Sequence, residues 1–133
     1  MKLTIFSDGG SRNNPGPAAT GVVIKDETGN TIANYGEYLG EQTNNYAEYM
    51  ATISGLKKAL ELGADEVECI VDSKLVCEQL KRNWKVKEPT LQKLFVEAYN
   101  LMQKFKHANI KHILRAGNKE ADAEVNKILD AQR

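Results

Sequence analysis

The chain has 133 residues, 41% of them hydrophobic and 27% charged, with Lys/Arg and Asp/Glu balanced at 18 each. This mixture predicts one domain over 1–133 and excludes a disordered chain, and no uncharged apolar run approaches the ~20 residues that a membrane span needs. Charge begins at Lys2 without a signal-peptide pattern, and the two cysteines, Cys69 and Cys77, are too few for a disulfide framework or zinc site, so a cytoplasmic protein with reduced thiols and no membrane partner is expected.

Residues 2–7 (KLTIFS) alternate polar and apolar and read as a strand. Residues 8–17 (DGGSRNNPGP) read as a turn-rich loop. A second strand is expected over roughly 18–25, a hairpin turn over Asp26–Asn30, and a third strand over about 31–39. The pattern then turns helical. Asn44 or Asn45 is placed to cap a helix, Tyr49, Ile53, Leu56 and Leu60 recur at helical spacing, and Gly63 closes it. Residues 67–71 (VECIV) read as a strand ending at Asp72, and Ser73 caps a helix running to about Arg82. Pro89-Thr90 opens the clearest helix, with Leu91, Leu94, Phe95, Ala98, Leu101, Met102 and Phe105 on one stripe. Residues 109–114 alternate as a strand, and Asn118 is placed to cap a last helix. The order β-β-β-α-β-α-α-β-α implies an α/β fold with a mixed five-stranded sheet, and residues 83–90 are the one candidate flexible connection.

The charge is unevenly spread. Residues 1–80 carry 6 Lys/Arg against 12 Asp/Glu, whereas residues 81–119 carry 10 against 2. A basic block inside a neutral chain fits a polyanion that also meets an acidic site, although solvated helix faces give the same counts. Four acids stand out by position. Asp8 ends the first predicted strand, Glu48 lies in the first turn of the first helix, Asp72 ends the fourth strand and Asp122 lies near the start of the last helix. Strand ends and helix starts on one sheet edge are where ligands gather. Carboxylates converging there repel unless cations are present, and oxygen-only donors select a hard ion such as Mg²⁺. Taken singly, each is an ordinary turn residue or helix-dipole partner; only the set points to metal-assisted phosphodiester chemistry. Gly9 and Gly10 let backbone pass close to a ligand. Asn14-Pro15-Gly16-Pro17 is a rigid turn presenting an amide, and Thr43-Asn44-Asn45 offers donors to a phosphate or a ribose 2′-hydroxyl, or simply caps the helix.

Taken together, Asp8-Gly9-Gly10, Asn14-Pro15-Gly16-Pro17, Thr43 to Glu48, Val71-Asp72-Ser73 and Asn118 to Asp122 resemble the type 1 ribonuclease H family, in order and over essentially the whole chain. The resemblance implies strand order 3-2-1-4-5, with the first three strands antiparallel. It implies an endonuclease that cuts the RNA strand of an RNA/DNA hybrid, using two Mg²⁺ ions (with Mn²⁺ as substitute) and leaving 5′-phosphate and 3′-hydroxyl ends. Asp8, Glu48, Asp72 and Asp122 would be the catalytic metal-binding acids, with Glu48 also sensing the 2′-hydroxyl of the strand to be cut. Gly9, Gly10, Asn14, Thr43, Asn44, Asn45, Ser73, Arg115 and Asn118 would contact the substrate, Thr43 near a DNA phosphate. No obligate protein partner is implied.

Two departures follow. Many members carry a histidine in the loop before the last acid; here that loop reads Arg115-Ala116-Gly117-Asn118. This places the chain with a short subgroup in which Arg115 would touch phosphate or assist product release, while His107 and His112 read as structural or exposed. The long basic handle is also missing from residues 81–93. Trp84 there reads as a core side chain in preference to a hybrid contact. The first residues already form strand one, so no separate hybrid-binding domain is expected and binding should be weak and salt-sensitive. The competing reading is a hybrid-binding module with weak or vestigial catalysis, and a third is another nuclease or strand-transfer enzyme on the same fold.

Overall fold

The computed structural model describes residues 1–132. The elements are β1 (Lys2–Ser11), β2 (Gly16–Lys25), β3 (Thr31–Gln42), α1 (Asn44–Glu61), β4 (Glu66–Val71), α2 (Lys74–Leu80), α3 (Pro89–Met102), β5 (His107–His112), a 3₁₀ turn at Arg115–Gly117 and α4 (Lys119–Asp130). The sheet order is β3-β2-β1-β4-β5; β1, β2 and β3 pair antiparallel, while β4 and β5 run parallel beside β1. The expected order of elements and mixed sheet are both present. No helix among the described residues is long and apolar enough to cross a membrane.

Several boundaries differ from expectation. The first strand does not stop at residue 7. Its antiparallel ladder with β2 continues through Asp8↔Gly21 to Ser11↔Ala18, so Asp8 sits within the strand and only residues 12–15 form the turn. Glycines that read as a loop are strand residues whose partner supplies the missing ladder bonds. β3 likewise runs to Gln42, because β2 pairs with it as far as Gly16. β5 lies two residues earlier than expected, since its parallel register is set by β4, from Glu66↔His107 to Val71↔His112. α2 ends at Leu80 instead of Arg82, whose φ of 66° breaks the helix.

The hydrophobic periods sort the side chains onto two faces. Leu3 and Ile5 of β1 and Val22 and Ile24 of β2 are buried with Tyr49, Ile53 and Leu56 of α1. The α3 stripe joins this core through Leu91, Ala98, Leu101, Met102 and, just beyond the helix, Phe105. Each such aliphatic burial stabilises the fold by about 1.5–3 kcal/mol. The other face is covered by α4, where Ala19, Val125 and Leu129 form a second, smaller cluster. Gly21 makes this possible, because a Cβ there would meet the Ala121 carbonyl oxygen at 2.1 Å.

The connection 83–90 is tied down and is no loose linker. Buried Gln79 accepts from the Tyr49 hydroxyl at 2.6 Å and donates to the Lys85 carbonyl at 3.2 Å, and Gln92 donates to the Val86 carbonyl at 2.9 Å. Glu88 caps α3 by accepting from the N–H groups of Thr90 and Leu91. Trp84, expected in the core, is 45% exposed. Leu80 and Leu91 already fill the interior beneath this turn, and Trp84 lines a surface groove with Phe95 and Val96 instead. Cys69 and Cys77 are buried free thiols, in line with the expected reduced state.

Replacing Gly21 with alanine should push α4 off the sheet and lower the unfolding free energy by about 1–3 kcal/mol, the usual range for overpacking. Urea unfolding of the variant beside the parent measures it; equal midpoints would mean that α4 does not lie where it is placed.

Candidate active site

Four elements deliver the acids. β1 carries Asp8, α1 carries Glu48, the residue after β4 is Asp72, and α4 carries Asp122. Thr43 holds the start of α1, its hydroxyl oxygen accepting from the Tyr46 N–H at 3.1 Å. The cap is therefore Thr43, not Asn44 or Asn45, which fall within the first turn. α1 then crosses β1 so closely that a Cβ on Gly9 would sit 2.2 Å from the backbone of Ala47. That contact lets the Gly9 N–H donate to Glu48 Oε1 at 2.5 Å. One carboxylate oxygen from each of Asp8, Glu48 and Asp72 lies within 4.8 Å of the others, a group that could hold a metal ion. Asp122 lines the same cleft, and its carboxyl adds to the upward push on Asp8.

The electrostatics follow from this crowding. Asp8 is buried, and its carboxyl is pushed up to about 7, first by loss of solvent and then by the charge of Asp72. Glu48 is held well above the usual carboxylate range by the same loss of solvent and by the charges of Asp8 and Asp72; the Gly9 N–H opposes the shift. Without a cation, these groups resist ionising together.

The acids floor a cleft of about 450 Å³, also lined by Gly9, Gly10, Ser11, Arg12, Asn44, Arg115 and Asn126. Asn44 accepts from the Ser11 N–H at 2.7 Å, and its own N–H donates to the Asn14 side-chain oxygen at 3.0 Å. These bonds fix the 12–15 turn to the start of α1. Asn14, Thr43 and Asn45 lie apart, in an adjoining groove with Glu88 and Thr90. Ser73 lies outside the cleft lining and caps α2, accepting from the Val76 N–H. Asn118 is buried beneath the cleft and makes no side-chain cap bond. Arg115 is exposed, its guanidinium 3.6 Å from Asp122.

The "Reverse transcriptase-like" family matches residues 6–128. Ribonuclease HI of Halobacterium salinarum is 42% identical over 97% of this chain and 65% of its own length. The crystal structure of RNase H1 from that archaeon superposes with a TM-score of 0.96, at 40% identity, covering 98% of this chain and 99% of that one. The chain belongs to the type 1 ribonuclease H family. Bifunctional protein Rv2228c of Mycobacterium tuberculosis is 46% identical over 98% of this chain, which spans 36% of that protein's length. LC11-RNase H1, solved in complex with RNA/DNA hybrid, superposes with a TM-score of 0.92 at 41% identity over 98% of this chain and 99% of its own.

Two cleft residues of this ribonuclease H chain escaped sequence reasoning. Arg12 is the first residue of the turn after β1; it lines the cleft beside Asp8 and also pairs with Asp130 at 2.7 Å. Asn126 follows Asp122 by one helical turn and donates to its Oδ2 at 3.3 Å. The Asp122–Asn126 spacing is visible in the sequence, whereas Arg12 read as part of the 8–17 loop; both gain meaning only once Asp8 and Asp122 are known to face one cleft.

The raised Asp8 carboxyl carries a pH signature. The fold binds the proton more tightly than the unfolded chain, so its contribution is full below the unfolded value of 3.8 and is lost as the pH rises towards 7. In EDTA, Asp8→Asn should therefore gain stability relative to the parent across that window, by at most about 1.4 kcal/mol per pH unit, and level off above it. Urea unfolding at pH 5, 6, 7 and 8 tests the sign; a constant difference would contradict the burial.

Proposed function

We propose that this chain is a metal-dependent endonuclease that hydrolyses the RNA strand of RNA/DNA hybrids, leaving 5′-phosphate and 3′-hydroxyl ends. The observation that carries the reading is the meeting of Asp8, Glu48 and Asp72 within 4.8 Å at the floor of an open cleft. Their donor set is all oxygen, which suits Mg²⁺ or Mn²⁺ over softer ions. The raised carboxyls of Asp8 and Glu48 fit a site completed by positive charge. Asp8, Glu48 and Asp72 would hold the cations, with Asp122 at the rim. Bound there as a pair, divalent cations supply activation of the attacking water and stabilisation of the departing ribose 3′ oxygen.

The remaining residues position the hybrid. Gly9 presents backbone without a side chain to obstruct an approaching strand, and its N–H fixes the Glu48 carboxylate beside the place of the scissile ribose. There Glu48 would accept from a 2′-hydroxyl, which distinguishes RNA from DNA. Asn14 and Asn44 use their side-chain oxygens within the protein, which leaves their amide NH₂ groups as the donors for sugar or phosphate. Thr43 and Asn45 line the adjoining groove, apart from the acids, and would meet the DNA strand. LC11-RNase H1, at 41% identity, was solved with such a hybrid bound, which supports the substrate class. The reading takes 1–133 as one domain acting without an obligate protein partner.

End-labelled RNA paired with DNA should be cut in Mg²⁺ or Mn²⁺ and not in EDTA, with single-stranded RNA and DNA duplex left intact. Asp72→Asn should lower the rate at least ~100-fold, about 2.7 kcal/mol of barrier, with an unchanged circular dichroism spectrum. Tight hybrid binding without cleavage in either metal would select a binding module instead. Arg115→Ala should lower turnover about tenfold with little change in metal dependence, and unchanged turnover would remove Arg115 from the scheme.

A further inference from the structure

We infer that Asn118 is a positioning residue, buried under the acidic cleft, that locks Asp72 to β1 and to the start of α4. The inference rests on the reading of the cleft as a metal-dependent nuclease site. Asn118 is 1% exposed, so it does not reach the hybrid, and its side chain caps no helix. Its Nδ2 instead donates to the Ser7 carbonyl at 2.9 Å and to Asp72 Oδ2 at 3.3 Å. An amide nitrogen carries two hydrogens, and both are used. Ser7 immediately precedes Asp8 in β1. The Asn118 carbonyl accepts the Asp122 N–H at 3.1 Å, the first helical bond below that acid. One residue thus touches Asp72 directly, sits one hydrogen bond from Asp122, and reaches Asp8 through one hydrogen bond and one peptide bond.

The orientation of the amide is fixed by its neighbours. The Ser7 carbonyl oxygen accepts only, so a rotated amide would set oxygen against oxygen there at 2.9 Å. The chosen orientation leaves Asn118 Oδ1 buried and without a partner among the described residues. A buried acceptor left bare is unfavourable. A side chain serving stability alone would not need it. What the amide supplies that an apolar residue of its size would not is a donor pair that holds one Asp72 oxygen while like charges press on it. Outer partners of metal-binding side chains act in this way on ligand geometry and affinity.

The test compares the parent, Asn118→Ala, Asn118→Asp and Asp72→Asn. It measures kcat and KM on hybrid, Mn²⁺ binding alone by calorimetry, and the folded fraction by near-ultraviolet circular dichroism. Asn118→Ala should lower kcat and weaken Mn²⁺ binding by about tenfold to a hundredfold, with KM for the hybrid nearly unchanged. Asn118→Asp keeps the shape but opposes two acceptors with a third, and should be worse in both. If the alanine variant fails to fold, the aspartate variant decides by the same readouts. Unchanged kcat and Mn²⁺ affinity would overturn the inference. So would a rise in KM alone, which marks a substrate contact, or a loss that vanishes after correction for folded fraction, which marks a purely structural role. Parent-like cleavage by Asp72→Asn would sink the nuclease-site reading itself, a result distinct from an inactive Asp72→Asn beside a parent-like Asn118→Ala.

Discussion

Three carboxylate oxygens held within 4.8 Å of one another repel, and the architecture of this chain is arranged around keeping them there. No single element could do it. A helix spaces its acids along one stripe and a strand alternates them, so three that converge must come from different elements. β1 lies at the centre of the sheet, antiparallel to β2 and parallel to β4, and is the one strand that brings Asp8 beside the end of β4, where Asp72 stands. α1 adds Glu48 only because Gly9 offers no Cβ at the crossing. The two packed faces of the sheet then act as clamps, with α1 and α3 on one side and α4 on the other.

The clamps differ in kind. The larger face is a conventional apolar core, in which Tyr49 is fully buried and spends its hydroxyl on Gln79. That bond reaches from α1 through α2 to the 83–90 connection, and so braces the surface beside Trp84. The smaller face has few large side chains and relies on close backbone approach at Gly21. Charge ties its edges, through Lys25 with Glu120 and Arg12 with Asp130, both at 2.7 Å. Such exposed pairs contribute little individually; their value is in orienting α4, and with it Asp122.

Much of this was legible in the sequence, for local reasons. The spacing of Tyr49, Ile53 and Leu56 marked the buried face of α1, Gly63 marked its end with a φ of 86°, and Asp26 to Asn30 formed the expected turn, with Asp26 accepting from the N–H groups of Thr28 and Asn30. The three acids that meet were also legible, Glu48 and Asp72 because each lies at an element boundary and Asp8 because the alternation of residues 2–7 stops before it, although the strand runs on to Ser11. Other features were hidden because they depend on distant partners. Gly9 and Gly10 read as loop since a glycine's use as a contact surface is invisible until the partner helix is known. Trp84 read as core because its apolar bulk says nothing of whether Leu80 and Leu91 have already filled the space. Asn118 read as a cap because caps are local, whereas its real partners lie 111 and 46 residues away.

That separation has a consequence for how the protein is made. The acids are drawn from positions 8, 48, 72 and 122, and Asn118 joins the last of these segments to the first. Synthesis proceeds at about 5–20 residues per second, so β1 to β4 emerge seconds before α4. Until α4 docks, the Ser7 carbonyl and Asp72 lack their donor and the cleft lacks one wall. Until α4 has been made and docked there is therefore no finished acidic cleft, and the order of elements alone delays its assembly behind that of the sheet.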